Sequence, residues 1–283
     1  MKKPASKLSS HSKSSPIVKE IDIFSELVAK EGTSLFLGKY STNEVVAILR
    51  KRNFFKEAKK RKLWPLDFEL DSSEFPPLQR FQIFYRKKNP QNLIVDLKIR
   101  EGKFRLKNKL ALDFLLPDYD FLILEWLTLQ NPLQSFSLKK SPLPGQNHPG
   151  LSLGRKVLDI FAYLARITKK DGLLAFPAYF HNALLFSRYF FFINPEKQGE
   201  AQAVREFFPD ISFKNLAWIV HLNCLRKNSK VYEWKAEEQV NPLSKTLKAY
   251  FGSKAYKEKV KESQKNLSFS IDWECYKRKI VNC

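Results

Sequence analysis

Apolar positions along this chain change period several times, and the changes outline its elements. Ser41-Thr-Asn-Glu44 has capping-box spacing, and the run behind it sets Val45, Ile48, Leu49 and Phe55 on one broad face. That pattern predicts a helix, whose far end, Lys56 through Lys62, gathers cations where the helix dipole favours them. Ile21 to Ala29 carries a shorter helical period. After Trp64-Pro65 the pattern turns strand-like, first at Phe68 and Leu70. Gln79 to Arg86 then sets Phe81, Ile83 and Tyr85 against Arg80, Gln82, Phe84 and Arg86, and Leu93 to Ile99 alternates in the same way. Lys88-Asn-Pro-Gln91 and Glu101-Gly102-Lys103 read as the turns of an antiparallel meander.

The next segment runs from an apolar strand, Phe121 to Leu129, through a Pro/Gly-rich loop to Gly150-Leu-Ser-Leu-Gly154-Arg155. Leu153 to Thr168 places Leu153, Val157, Ile160, Phe161, Leu164 and Ile167 at helical spacing, a stripe suited to covering a sheet. A strand (Gly172 to Pro177), a short helix and an aromatic strand (Phe190 to Ile193) follow. Beyond Pro195 the pattern predicts a helix near Ala201–Phe208 and strands at Leu216–Leu225 and Val231–Trp234. A charged helix over Ser244–Lys265 then precedes a last strand through Phe269, Ile271 and Trp273. The fold class expected is α+β: a mixed, largely antiparallel central sheet flanked by helices. Residues 1–20 read as a disordered basic tail, 21–75 as a helical segment of the core, and 76–200 as the core itself. Residues 201–283 read as an α/β extension that completes or flanks the sheet.

Composition sets bounds on this picture. A 43% apolar and 14% aromatic content over 283 residues is ample for a buried core. No apolar run approaches the ~18 residues that cross a bilayer, and the basic start leads into Ser9-Ser10-His11-Ser12 rather than an apolar segment. Cytoplasmic residence is therefore the default expectation. The net charge of +21 is unevenly spread: residues 1–20 carry +4, residues 50–62 carry +7 and residues 243–283 carry +6. These basic flanks suit an anionic partner such as RNA or a membrane surface. Three cysteines (Cys224, Cys275, Cys283) form neither a disulfide framework nor a zinc pattern, and His221 with Cys224 lacks a second ligand pair nearby.

The chemistry points to the turn before the Leu153 helix. A glycine-containing turn between a strand end and a helix start gathers free N–H groups on the positive end of the dipole, where a phosphate or pyrophosphate binds. The order of elements, the small residues Gly150, Ser152 and Gly154, and the run Phe180-His-Asn182-Ala-Leu-Leu-Phe-Ser-Arg-Tyr189-Phe-Phe together resemble the GNAT superfamily of acyl-CoA-dependent N-acyltransferases. The similarity covers residues 75–195. Pro149 stands where that family has Arg or Gln, with Gln146 three residues earlier, and the loop from Asn131 to Pro149 is longer than the family's.

The resemblance implies an acyl-CoA cofactor, acetyl-CoA first, and direct attack of an amine acceptor on the thioester. Gln146, Gly150, Ser152, Gly154, Arg155 and Asn182 would bind the cofactor, with Lys156, Lys139 and Lys140 as further cations near its phosphates. Tyr189 would protonate the departing thiolate. Glu125, an ionisable residue in an apolar strand, is the first candidate base because desolvation would raise its pKa, and His148 is the second. The competing class is a non-catalytic RNA- or ribosome-associated protein that uses the basic flanks, with or without a degenerate transferase fold. No recognisable RNA-binding module, nucleophile elbow, P-loop or zincin motif is present.

Overall fold

A computed structural model gives the fold, and it describes residues 34–105, 118–137 and 141–281. The expected 1–20 tail, the Ile21–Ala29 helix, and Lys139 and Lys140 lie outside the described residues. Helix α1 (Thr42–Lys51) opens on its capping box: Glu44 N donates to Ser41 Oγ at 3.3 Å, and Ser41 N donates to the Glu44 carboxylate at 2.8 Å. The chain then breaks at Asn53, in the left-handed region at φ 61°, before α2 (Phe54–Lys60). The single helix expected here is thus two.

Strands β1 (Leu66–Asp71), β2 (Gln79–Tyr85), β3 (Leu93–Arg105) and β4 (Asp118–Leu129) form an antiparallel meander. A 14-residue helix, α3 (Gly154–Ile167), carries the chain to β5 (Gly172–Ala175), which lies parallel to β4. Helix α4 (Phe180–Leu185), β6 (Phe191–Phe192), α5 (Pro195–Phe207) and α6 (Phe213–His221) come next, followed by β7 (Leu225–Lys227) and β8 (Lys230–Val231). The chain ends through β9 (Gln239–Pro242), α7 (Lys245–Gly252), α8 (Lys254–Lys265), β10 (Phe269–Ile271) and α9 (Trp273–Ile280). The main sheet has the order β1-β2-β3-β4-β5-β9-β6, and β10-β7-β8 forms a second sheet. The architecture is α+β with a mixed, mostly antiparallel sheet between helices.

Alternation along β4 explains how the sheet acquires a core on both faces. Leu122 and Leu124 pack with residues of α1, α2 and α3, whereas Tyr119, Phe121 and Ile123 pack with Leu247, Tyr250 and Tyr256 of α7 and α8. Phe121 and Leu122 are both fully buried, each worth roughly 1.5–3 kcal/mol of hydrophobic stabilisation.

Several further sequence expectations are corrected. Glu101-Gly102-Lys103 is not a turn but the middle of β3, with Gly102 opposite Phe121. A Cβ on Gly102 would come within 3.0 Å of the Ile123 side chain, so this glycine makes room for a neighbour rather than turning the chain. Leu216–Leu225 is largely helix, because Ser212 caps Asn215 N and the 3–4 spacing of Leu216, Ile219 and Val220 faces a core. The Ser244–Lys265 helix is divided at Ser253, which ends α7 and caps α8. Trp273 opens a helix instead of closing a strand, because Asp272 accepts from Cys275 N at 2.9 Å. The C-terminal segment does enter the main sheet, through Gln239–Pro242 rather than through the strands expected to do so.

Candidate functional site

Among the described strands of the main sheet only the pair β4–β5 runs parallel, and there the sheet forks. Pairing runs only from Phe121–Leu124 against Gly172–Ala175. Beyond Leu124, β4 continues to Leu129 on β3 alone while the chain leaves β5 at Ala175. A β-bulge falls at the same point: Lys98 faces Trp126 and Ile99 faces Leu124, which leaves Glu125 as the extra residue. The bulge switches faces, so Leu127 and Leu129 rejoin Leu122 and Leu124 on the α3 side.

The loop before α3 is pinned to this fork. Asn131 N donates to Pro149 O at 2.7 Å and Leu151 N to Leu129 O at 3.4 Å, forming a bridge between Gln130 and Gly150. Arg61, just past α2, donates from Nε to Leu151 O at 2.9 Å. Leu151 and Leu153 are buried, while Ser152 between them is exposed at a left-handed φ of 56°. Two inward leucines therefore turn the intervening backbone outward. Among the described residues no protein group accepts from the amides of Ser152, Leu153, Gly154, Arg155 or Lys156, and the helix has no side-chain cap. Its first turn holds no acidic residue either. That is an uncompensated positive helix end.

The expected site residues divide into those the structure gathers here and those it assigns elsewhere. Gly154 opens α3 under the Phe186 ring, which lies 3.3 Å from where a Cβ would sit. Arg155 is exposed and has no carboxylate partner among the described residues. Asn182 is half-buried on α4, one turn before Phe186 and on the same helical face. Tyr189, three residues after Phe186, donates its N–H to Phe186 O at 2.9 Å and packs partly buried on the main core.

Gly150 is spatially undemanding: a Cβ there would meet nothing nearer than Leu129 O at 3.7 Å, and the bridge to Gln130 fixes its place. Lys156 is already engaged, donating to Glu57 at 2.7 Å. Gln146 closes a turn of its own loop, its side-chain oxygen accepting from Leu143 N at 3.0 Å. That loop docks on α6, where Trp218 Nε1 donates to Pro142 O at 3.0 Å, and Gly145 (φ 76°) leaves room for Tyr179. His148 lies half-buried in the loop without a hydrogen-bond partner among the described residues.

Glu125 corrects its expectation most clearly. It is exposed and paired to Arg100 Nε at 2.7 Å, so the desolvation that would tune a base is missing. It nevertheless occupies the first position past the fork.

Sequence reasoning missed the residues that build the loop from a distance. Glu57 accepts from Lys156 and, at 2.8 Å, from Arg61 Nη1, and these contacts hold its carboxyl near a pKa of about 2, Lys156 contributing most. The sequence signal was only the cationic end of α2, which reads equally as a solvated face. His181 entered the sequence reading only as one member of the run from Phe180. It is 3% exposed and stacks on Tyr179 at 5.3 Å, and burial, with His221 nearby, depresses its pKa to about 4.

A cleft of about 830 Å³ lies elsewhere, between α5, α8 and the β7–β8 hairpin. Within it Glu200 accepts from Lys197, Lys227 and the Tyr232 hydroxyl. Among the described residues no group of three or more His, Cys, Asp or Glu is placed to hold a metal, and no helix is long and apolar enough to cross a membrane. Compared with protein-family models, with curated proteins and with solved structures, the chain matches none.

Proposed function

We propose that the chain is an acyl-CoA-dependent N-acyltransferase, with acetyl-CoA as the simplest donor. The observation that carries the reading is the set of five unpartnered amides, from Ser152 to Lys156, beside the fork of β4 and β5. Amides fanned around a helix start suit a diphosphate, and Arg155 adds a cation without a carboxylate of its own. A crevice outside the carboxyl ends of parallel strands is where open sheets of this kind take ligands. The pantetheine arm would enter between the strands, past Asn182.

The reaction is a direct transfer. A protonated amine gives up one proton to water, its nitrogen attacks the thioester carbon, and as the C–S bond breaks the nitrogen sheds its surplus proton to water. The Tyr189 hydroxyl protonates the departing thiolate and recovers its proton from water.

Thermal unfolding tests this reading. CoA or acetyl-CoA at about a hundredfold over Kd should raise Tm by roughly 5 °C, whereas ATP and NAD leave it unchanged. Gly154→Asp should abolish that response, and Arg155→Glu, at an exposed position, should weaken CoA affinity about tenfold. No shift with any CoA thioester, or full affinity in both folded variants, would remove the support for the proposal.

A further inference from the structure

The densest charge in the described chain does not sit at this site alone. Residues 50–62 contain eight Lys or Arg and one acid, Glu57, which is already held by Lys156 and Arg61. Arg50, Lys56, Lys59, Lys60 and Lys62 are exposed, because α1 and α2 turn Val45, Leu49, Phe54 and Ala58 inward. At the end of this run Trp64 remains 43% exposed, a large aromatic surface left on a cationic face.

Its neighbours form one continuous patch. Lys59 Nζ lies 4.3 Å from the Trp64 ring centroid, Phe55 meets Trp64 edge-on at 5.8 Å, and Arg50 stands over Phe55 at 5.9 Å. From the sheet side, Arg86 N donates to Pro65 O at 2.8 Å, which sets the exposed Arg86–Lys88 turn beside the residue that follows Trp64. Among the described residues Arg50, Lys59, Arg86, Lys87 and Lys88 have no carboxylate partner.

We infer that this face binds single-stranded RNA, with phosphates on the cations and a base stacked on Trp64. Cations interleaved with an exposed aromatic ring are what an unpaired strand uses, because every base has a π-face and a duplex hides it. A membrane surface fits less well. An interfacial helix needs an exposed apolar face, and here the apolar faces of α1 and α2 are buried. The surface does not depend on the transferase reading, since neither Trp64 nor the Arg86–Lys88 turn belongs to the α3 site.

Fluorescence polarisation of a labelled twelve-nucleotide mixed-sequence RNA, titrated with the full chain at several KCl concentrations, tests the inference. Binding should weaken steeply with salt. Trp64→Ala should reduce affinity by roughly tenfold, the loss of one stacked base. The triple variant Arg86→Ala, Lys87→Ala, Lys88→Ala changes only exposed side chains, and should lower the slope of log K against log salt by about 2. Gly154→Asp should bind RNA as the parent does. Unchanged affinity and salt slope in the triple variant would overturn the proposal. So would duplex RNA or phosphatidylserine vesicles binding more tightly than the single strand.

Discussion

Glu57 on α2 and Lys156 in the first turn of α3 meet at 2.7 Å across 99 residues of sequence. The other Glu57 oxygen takes Arg61, whose Nε reaches Leu151 O, so one carboxylate organises the backbone that presents the five free amides. Hydrogen bonds from Lys156 and then Arg61 lower its pKa from 4.5 to about 2. A carboxyl with a depressed folded pKa contributes stability above its unfolded value and loses it as pH falls through the folded one. Stability should therefore drop between about pH 4.5 and pH 2 in the parent, and Glu57→Gln should flatten that part of the Tm-against-pH curve. CoA affinity should fall in the same variant at neutral pH, because the loop loses its anchor. A parent and variant with superimposable acid limbs would dissociate Glu57 from the loop's stability.

His181 controls a separate window. Burial first, and His221 second, lower its pKa from 6.5 to about 4. Between those values the unfolded chain binds a proton that the folded chain refuses, so stability falls as pH drops from 6.5 toward 4. The effect is on the order of 2 kcal/mol. Replacing His181 with Gln, which cannot titrate, should remove the slope in that interval and leave the Glu57 window intact. Urea unfolding at pH 7.0, 5.5 and 4.5 would measure it, and an undiminished slope in His181→Gln would assign the titration elsewhere.

Local signals were the legible part of this fold. The Ser41–Glu44 box, the alternation in β2 and the stripe on α3 each depend on residues within a turn or a strand, and each appears where the pattern placed it. Some misreadings were of local caps, at Ser212, Ser253 and Asp272, and others turned on a distant partner. Gly102 looked like a turn because nothing nearby in sequence shows that Ile123 needs its space. Leu216 to Leu225 looked like a strand because its run of apolar residues hid the 3–4 spacing of Leu216, Ile219 and Val220 behind the Ser212 cap. Gln239–Pro242 was invisible, since a four-residue strand earns its place only by bonding to β5 and β6 on either side.

The candidate site divides along the same line. Gly154, Ser152 and Tyr189 were legible as a motif, and Gly154 does open the helix whose amides are free. The frame around them was not: Arg61 reaches Leu151 across 90 residues, and Arg100 reaches Glu125 across 25. Glu125 was expected to be desolvated from its apolar neighbours, but a bulge, which sequence does not announce, turned it to solvent and to Arg100.

Helices α5 and α8 approach each other over Gly199, and the approach depends on its missing side chain. A Cβ there would lie 2.6 Å from Val260 O and would collide with the Ser263 hydroxyl. Gly199→Ala should therefore destabilise the chain by about 1–3 kcal/mol, despite the better helix propensity of alanine. Gly252, at the end of α7, has nothing within 4 Å of its Cβ position, so Gly252→Ala should be neutral or stabilise by up to about 1 kcal/mol. Urea midpoints of the two variants should move apart. If both shift alike, the α5–α8 contact is looser than its geometry implies.

Cys224 and Cys275 bring their sulfurs to 2.6 Å, joining the residue before β7 to the first turn of α9. Both are buried free thiols, and burial followed by the Cys275 contact pushes the Cys224 pKa up to about 12. A thiol so rarely ionised reacts slowly, since the thiolate is the nucleophile. Iodoacetamide at pH 8 should leave both cysteines unmodified in the native chain and alkylate them in urea. A disulfide oxidant such as diamide accepts two electrons and two protons as the two thiols become one S–S bond. Partial unfolding in its presence should yield an intramolecular Cys224–Cys275 link, seen as a peptide pair by mass spectrometry under non-reducing conditions. Rapid alkylation of the native protein at either position, or a link made only to Cys283, would show that the two sulfurs do not share this buried contact in solution.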